Sequence, residues 1–486
     1  MTAKPKQNSL TSALAWKLME RFGVSGTQFV LQVILARLLA PELYGVLSIM
    51  IIFTTLANVF IHNGFNSSLV QNRDVTEEDY SSVFWVSLGV AAALYGLIFV
   101  GAPFVGAFYE MPDIVWPLRV LALMLFPGVL NSVQLAKVSR EMQFRKVFSS
   151  SLSGVLVSGL AGIAIAYAGG GLWALVAQTM LNVTTTCIVM CFTVKLRIRF
   201  VCNLHRVRLL LSFGWKLLVS SLLDTLYQDL RSLVIGKKYD SGTLGYYNRG
   251  KQFPQFIISA VGNTVQSVML PAMSQKQDNR AALKDLTRQS IVMSSYVLFP
   301  IMAGLAGVSA PLVQLLLTEK WLPCVPYMQI YCFVLAFNPI HMCNLQAINA
   351  MGRSDIFLTL EMIKKTIGVG ALLVAVFCFQ TPIAIALTGA FTALISCFIN
   401  AYPNKKLIGY SYFEQIRDML PSFLAACVML GAVLAVQLLG FGALPTLLLQ
   451  VVAGVVTYAL LSAVLRIQPF FVLLGVVRKM RQKRKV

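Results

Sequence analysis

Charge is scarce in this chain. Asp, Glu, Lys and Arg make up 12% of its 486 residues, about half the share found in soluble globular domains. Two or three soluble domains of this total length could not cover their surfaces with so few polar groups, which excludes that class. Carboxylates are scarcer still, 19 against 40 Lys and Arg. Only 3 histidines and 9 cysteines occur, with no C-x-x-C pair. Cys187 and Cys191 stand at i,i+4 without a histidine or carboxylate beside them, so the cysteines read as small buried hydrophobes, not as metal ligands or a redox pair. Long polar loops are missing too. The longest, around 195–208 and 273–285, could not house a soluble catalytic centre, so no enzyme activity, cofactor or metal is expected.

What the chain does hold is apolar sequence. Hydrophobic residues make up 57% and the mean hydropathy is +0.73. The apolar runs are about 20 residues or longer, twice the length of a membrane β-strand, so each is expected to be a spanning helix. Fourteen such segments are predicted, at 10–39, 43–70, 81–108, 117–138, 147–168, 172–194, 209–235, 244–270, 286–310, 325–350, 356–379, 383–401, 420–439 and 445–465. Pro103, Pro127, Pro254, Pro300 and Pro339 fall inside them as expected kinks. The N-terminus is polar and runs directly into the first segment, a pattern that predicts no cleavable leader.

The net charge of +21 would suit nucleic acid, but the basic residues are spread between the apolar runs and gathered at Arg478–Lys485. No compact basic domain with aromatic platforms accompanies them, so no nucleic-acid partner is expected. With the N-terminus placed in the cytoplasm, most loop Lys and Arg fall on the cytoplasmic side, together with the C-terminus. A bacterial inner-membrane protein with both termini inside is the resulting expectation.

An internal repeat is legible at a step of about 200 residues. Trp16-Lys17-Leu18 answers Trp215-Lys216-Leu217, and Arg37 with Gly45 answers Lys237 with Gly245. Six segments separate the copies, so both would cross in the same direction, as parallel repeats do. The expected organisation is a six-helix lobe over 1–200, a second over 201–405, and two further helices with a basic tail over 406–486.

Ionised groups within a bilayer are costly, which makes their placement informative. Lys17, Glu20, Arg21, Gln28 and Gln32 share one face of segment 1. Thr55, Asn58, His62 and Asn66 stripe segment 2. Segment 7 carries Lys216, Ser220, Asp224, Tyr227 and Arg231, and segment 8 carries Arg249, Gln252, Gln255, Ser259, Asn263 and Gln266. Such stripes cannot face lipid, so these four segments are expected to line one aqueous cavity. The bland readings compete: Lys17, Arg21 and Lys216 could snorkel to headgroups, Glu20 could pair with Lys17, and His62 could be a plain hydrogen-bonding residue. Lys17, Arg21, Lys216, Arg231 and Arg249 outnumber Glu20 and Asp224. A net-basic lining suits an anionic head group, above all a diphosphate.

Short stretches in fixed order point the same way: ARLLAPELYG (Ala36–Gly45), GFNSSLVQ (Gly64–Gln71), TEED (Thr76–Asp79), Phe84-Trp85, EMQF (Glu141–Phe144), LGYY (Leu244–Tyr247), and EKW (Glu319–Trp321) with Pro326 and Gln329. In these the sequence resembles the Wzx-type polysaccharide-repeat flippases of the MATE-like superfamily. That resemblance implies an all-α fold of about fourteen helices in two six-helix lobes. It further implies alternating-access flipping of polyprenyl-diphosphate-linked oligosaccharides for exopolysaccharide, capsule or O-antigen, beside a polymerase and export machinery. The alternatives are a multidrug or cation antiporter of the same superfamily, which would want more acidic residues, and a membrane polysaccharide polymerase, which would want a large outer loop.

Overall fold

The computed structural model describes residues 23–62, 75–201, 203–276 and 279–483, together with Trp16, Met19 and Leu69. Every regular element among them is helical. The chain forms two compact units, Met1–Gly245 and Tyr246–Val486.

The first unit holds α1 (Ser25–Leu38), α2 (Pro41–His62), α3 (Glu77–Phe108), α4 (Val115–Ala122), α5 (Leu125–Glu141), α6 (Phe144–Tyr167), α7 (Leu172–Thr193) and α8 (Leu204–Lys238). Helix α9 (Ser241–Ser274) starts at its end. The second unit continues with α10 (Arg280–Gly307), α11 (Ser309–Leu317), α12 (Val325–Ala336), α13 (Asn338–Ala350), α14 (Ser354–Cys378), α15 (Pro382–Leu407), α16 (Tyr412–Gln437), α17 (Ala443–Val464) and α18 (Gln468–Lys483). Among the described residues, nine helical segments are long and apolar enough to cross a membrane. The protein is a multi-pass membrane protein. Where the predicted segments are described they fall on helix, the first only from residue 23 and the second only up to residue 62. Helices α8, α9 and α14 lie outside the nine, and they carry Asp224 with Arg231, Arg249 with Lys251, and Glu361 with Lys364 and Lys365.

Three segments expected to be continuous are divided. The run 117–138 becomes α4 and α5, 286–310 passes from α10 into α11 at Val308, and 325–350 becomes α12 and α13 with a break at Phe337. Pro339 sits in the first turn of α13, where its missing N–H costs no hydrogen bond. Pro103 and Pro300 instead stay inside unbroken helices.

Local chemistry sets the helix ends. Thr76 caps α3 and Asp79 closes a reciprocal capping box, with Asp79 Oδ2 accepting from Thr76 N at 2.9 Å. Ser411 and Glu414 repeat the box on α16. Between the helices, small residues permit close approach. A Cβ on Gly154 of α6 would lie 2.2 Å from Thr186 Oγ1 of α7, and one on Gly307 of α10 would lie 2.6 Å from Val433 of α16. Tyr458 Oη donates to Tyr296 O at 2.9 Å, and Tyr296 Oη donates to Ser462 Oγ at 3.0 Å, tying α10 to α17. The 195–203 connection is pinned to α3, where Trp85 Nε1 donates to Arg199 O at 2.9 Å and stacks on Phe200.

One expectation about the cysteines changes. Cys187, Cys324, Cys332, Cys343 and Cys397 are buried, but Cys191, Cys378 and Cys427 are exposed. On a membrane helix an exposed side chain can meet lipid, which a thiol tolerates as well as it does a protein core.

Candidate functional site

The four polar stripes are placed unevenly. Lys17, Glu20, Arg21 and Asn66 lie outside the described residues. Lys216, Asn263 and Gln266 fall on stretches of α8 and α9 where only the backbone is described. On α1, Gln28 is exposed and Gln32 is half-buried.

On α2, Thr55, Asn58 and His62 are all half-buried. Asn58 Oδ1 stands 3.4 Å from where a Cβ of Gly128 would be, so this amide packs against α5. On α8, Asp224, Tyr227 and Arg231 recur at helical spacing and are half-buried, with the Arg231 guanidinium 5.8 Å from the Tyr227 ring centre. The ring's negative face stabilises that charge where water is sparse.

Arg249 on α9 is the most constrained of the predicted residues. It is only 6% exposed. Its Nη1 donates to Gln252 Oε1 at 2.6 Å, and its guanidinium lies 5.2 Å from the Trp321 ring centre. The α9 backbone presses close here, because a Cβ on Gly250 would come within 2.8 Å of Cys324 O. Tyr247, one turn earlier on α9, is hydrogen-bonded through its hydroxyl to Tyr331. A planar cation held this way is oriented before any anion arrives, which lowers the entropic cost of gripping one.

Reading the sequence missed a buried amide cluster in the second unit. Asn344, Asn404 and Gln415, on α13, α15 and α16, are each fully buried. Asn344 Nδ2 donates to Gln415 Oε1 at 2.8 Å, and Asn404 Nδ2 donates to Asn344 Oδ1 at 2.7 Å. His341, one turn before Asn344, lies 3.4 Å from the Asn400 amide nitrogen. The signal available was Asn400 and Asn404 at i,i+4, with His341 and Asn344 at i,i+3, in otherwise apolar helices. On α14, Glu361 pairs with Lys364 at i,i+3 spacing.

The first unit also contains a cavity of about 370 Å³ lined by apolar side chains, among them Phe53, Phe104, Phe108 and Leu233. Its chemistry suits hydrocarbon and offers no grip for sugar or phosphate.

Comparison with known proteins fits this architecture. A family model described as "Polysaccharide biosynthesis protein" matches residues 34–326. The succinoglycan biosynthesis transport protein ExoT of Rhizobium meliloti is 24% identical over 486 residues, covering 96% of this chain and 94% of its own. The lipopolysaccharide biosynthesis protein WzxC of Escherichia coli is 23% identical over 428 residues, covering 85% of each. Among solved structures, the lipid II flippase MurJ in an inward closed conformation superposes with a TM-score of 0.76 at 15% identity, covering 93% of this chain and 98% of its own. An inward-facing multidrug transporter of the MATE family gives a TM-score of 0.61 at 16% identity, covering 80% and 98%. The fold is therefore the all-α, MATE-like membrane fold.

Proposed function

This chain belongs to the polysaccharide biosynthesis protein family, and from that premise we propose that it flips polyprenyl-diphosphate-linked oligosaccharide repeat units across the membrane by alternating access. The direction is from the cytoplasmic to the periplasmic leaflet of a bacterial inner membrane, with both termini cytoplasmic. Family membership is the observation that carries the reading. The names of its relatives, in succinoglycan and lipopolysaccharide biosynthesis, support a glycan cargo.

The chemistry of the polar stripes supports a diphosphate head group. Lys17, Arg21, Lys216, Arg231 and Arg249 are its ligands in this reading, and Glu20, Gln28, Asn58, His62, Asp224, Gln252 and Asn263 supply polar or coupling groups. Arginine's planar fork matches phosphate oxygens in pairs, and low dielectric strengthens each such bond. In this reading the chain comprises two six-helix lobes, 1–200 and 201–405, with the last two helices appended. A polysaccharide polymerase and export machinery act downstream.

The test is reconstitution. Full-length protein in proteoliposomes should move a defined lipid-linked oligosaccharide between leaflets, and Arg21→Ala and Arg249→Ala should each slow it. If both variants flip at the wild-type rate, the head-group assignment fails. If wild-type protein moves no lipid-linked oligosaccharide but exchanges an organic cation, the chain is an antiporter instead.

A further inference from the structure

The second unit carries a pocket of about 860 Å³ that contains none of the residues assigned to flipping. It opens where α10, α16 and the turn from α17 into α18 meet, and its lining has two halves. One half is apolar, with Val292, Met293, Pro421, Leu465 and Val472. The other is charged, with Asp285, Arg288, Arg417, Asp418 and Arg466.

Internal pairing leaves two cations over. Arg288 Nη2 lies 2.6 Å from Asp418 Oδ1, and Asp418 Oδ2 accepts from Tyr410 Oη at 2.9 Å. Asp418 is thereby satisfied. Arg417 and Arg466 are exposed and make no ion pair among the described residues. Asp285 is the one carboxylate left to set against them.

Arg466 also occupies an unusual backbone position. Its φ is +50°. Its N–H reaches Ala463 O at 3.3 Å and the Ile467 N–H reaches Ser462 O at 3.0 Å, the helix-ending pattern whose left-handed residue is ordinarily glycine. Glu110 takes the same conformation, at φ +57°, and there the side chain pairs with Lys237 at 2.9 Å. Arg466 is held in the strained conformation with its guanidinium at the pocket and no ion-pair partner for it among the described residues.

The surroundings indicate what fills the gap. Helix α18 has 16 residues, too few to span a bilayer. It exposes Phe471, Val472, Leu473 and Leu474, and the sequence follows these with Arg478, Lys479, Arg481 and Lys483. That composition belongs to a helix lying at the membrane interface. Basic pockets between spanning helices at this depth recognise phosphate-bearing headgroups.

We propose that this pocket seats the phosphate headgroup of an anionic glycerophospholipid, gripped by Arg417 and Arg466, with its acyl chains along Val292, Met293 and Val472. A small soluble phosphate would use the arginines alone and leave the apolar half unexplained. The site requires only that the chain crosses a membrane, and it is independent of the glycan cargo.

The experiment is thermal unfolding of the full-length protein in detergent with short-chain phosphatidylglycerol, phosphatidylcholine or inorganic phosphate added. Phosphatidylglycerol is expected to raise the midpoint by several degrees more than either of the others. Arg466→Gly removes the guanidinium and relaxes the backbone. Without lipid it should melt no lower than wild type, which keeps misfolding out of the result. It should nonetheless lose the phosphatidylglycerol-specific shift, as should Arg417→Gln. Equal shifts from phosphatidylglycerol and phosphatidylcholine would overturn the proposal. So would an equal shift from inorganic phosphate, or full retention of the shift in the double variant.

Discussion

Gly45 on α2 and Gly245 on α9 face each other across a helix crossing in which each leaves room for the other helix's backbone. A Cβ on Gly45 would stand 1.8 Å from Ser241 O, and one on Gly245 would stand 2.2 Å from Pro41 O and 3.3 Å from Gly45 N. Pro41 opens α2 and Ser241 opens α9, so the contacts are reciprocal between the starts of the two helices. Asp240 precedes α9, with its carboxylate accepting from Thr243 N at 3.0 Å and from Thr243 Oγ1 at 2.6 Å. Burial pushes the Asp240 carboxyl up, but these bonds outweigh it and hold it below the usual carboxylate range.

The crossing predicts a large response to a single methyl. Gly45→Ala or Gly245→Ala must push backbone against backbone, and overpacking of this kind costs about 1–3 kcal/mol. Each variant should melt lower than wild type in detergent. Gly431→Ala on α16 is the control, because a Cβ there meets nothing within 4 Å, and alanine in a helix is favoured by about 1 kcal/mol. An unchanged midpoint for Gly45→Ala would remove the crossing from the account of stability.

Gly45 and Gly245 stood out in the sequence as a matched pair, and glycine is irreplaceable at so close an approach. The spans were legible because membrane thickness fixes their length. Helix breaks were less so: Pro300 lies within continuous helix, whereas Pro339 marks a restart. Contacts between distant residues were not legible at all. Nothing in a stripe on α9 announces that Arg249 rests on Trp321, and nothing about Gln415 announces Asn344.

That second pair gives a stability prediction. Asn344→Ala leaves the buried amides of Asn404 and Gln415 short of partners, at about 1–3 kcal/mol for each group orphaned. The melting midpoint should fall. Asn344→Ala combined with Gln415→Leu should cost less than the two single changes added together, since the second removes a group that the first orphaned. Strict additivity in that cycle would mean that the two side chains are uncoupled.

A pH prediction comes from Arg353, which precedes α14, and Asp355 in the first turn of that helix. Arg353 Nε and Nη2 donate to the two oxygens of Asp355 at 3.0 and 2.8 Å, which lowers the Asp355 carboxyl to about 2. Because the folded-state value is depressed, the pair's contribution is present above the ordinary carboxylate pKa of about 4. It is lost as pH falls through about 2. Titration of the Asp355 carboxyl carbon by NMR should show the low value in wild type and a return to about 4 in Arg353→Gln. A midpoint near 4 in wild type would mean that the ion pair does not persist in solution.

The Arg249–Trp321 contact separates charge from geometry. Arg249→Lys keeps a cation but loses the planar stacking on Trp321 and the fork that reaches Gln252, and lysine is not equivalent at a stacked or bidentate site. Trp321→Phe keeps an apolar ring while weakening the attraction to the cation. If Arg249 serves only as net positive charge, Arg249→Lys should flip lipid-linked oligosaccharide at close to the wild-type rate, and Trp321→Phe should change little. If its held orientation matters, both should slow flipping by about tenfold, the equivalent of about 1.4 kcal/mol. Trp321→Phe is the more informative of the two, because it leaves every charge in place. A rate loss there, with thermal stability preserved, would assign Trp321 the role of positioning the guanidinium. Wild-type rates in both variants would leave Arg249 only its net positive charge to offer a head group.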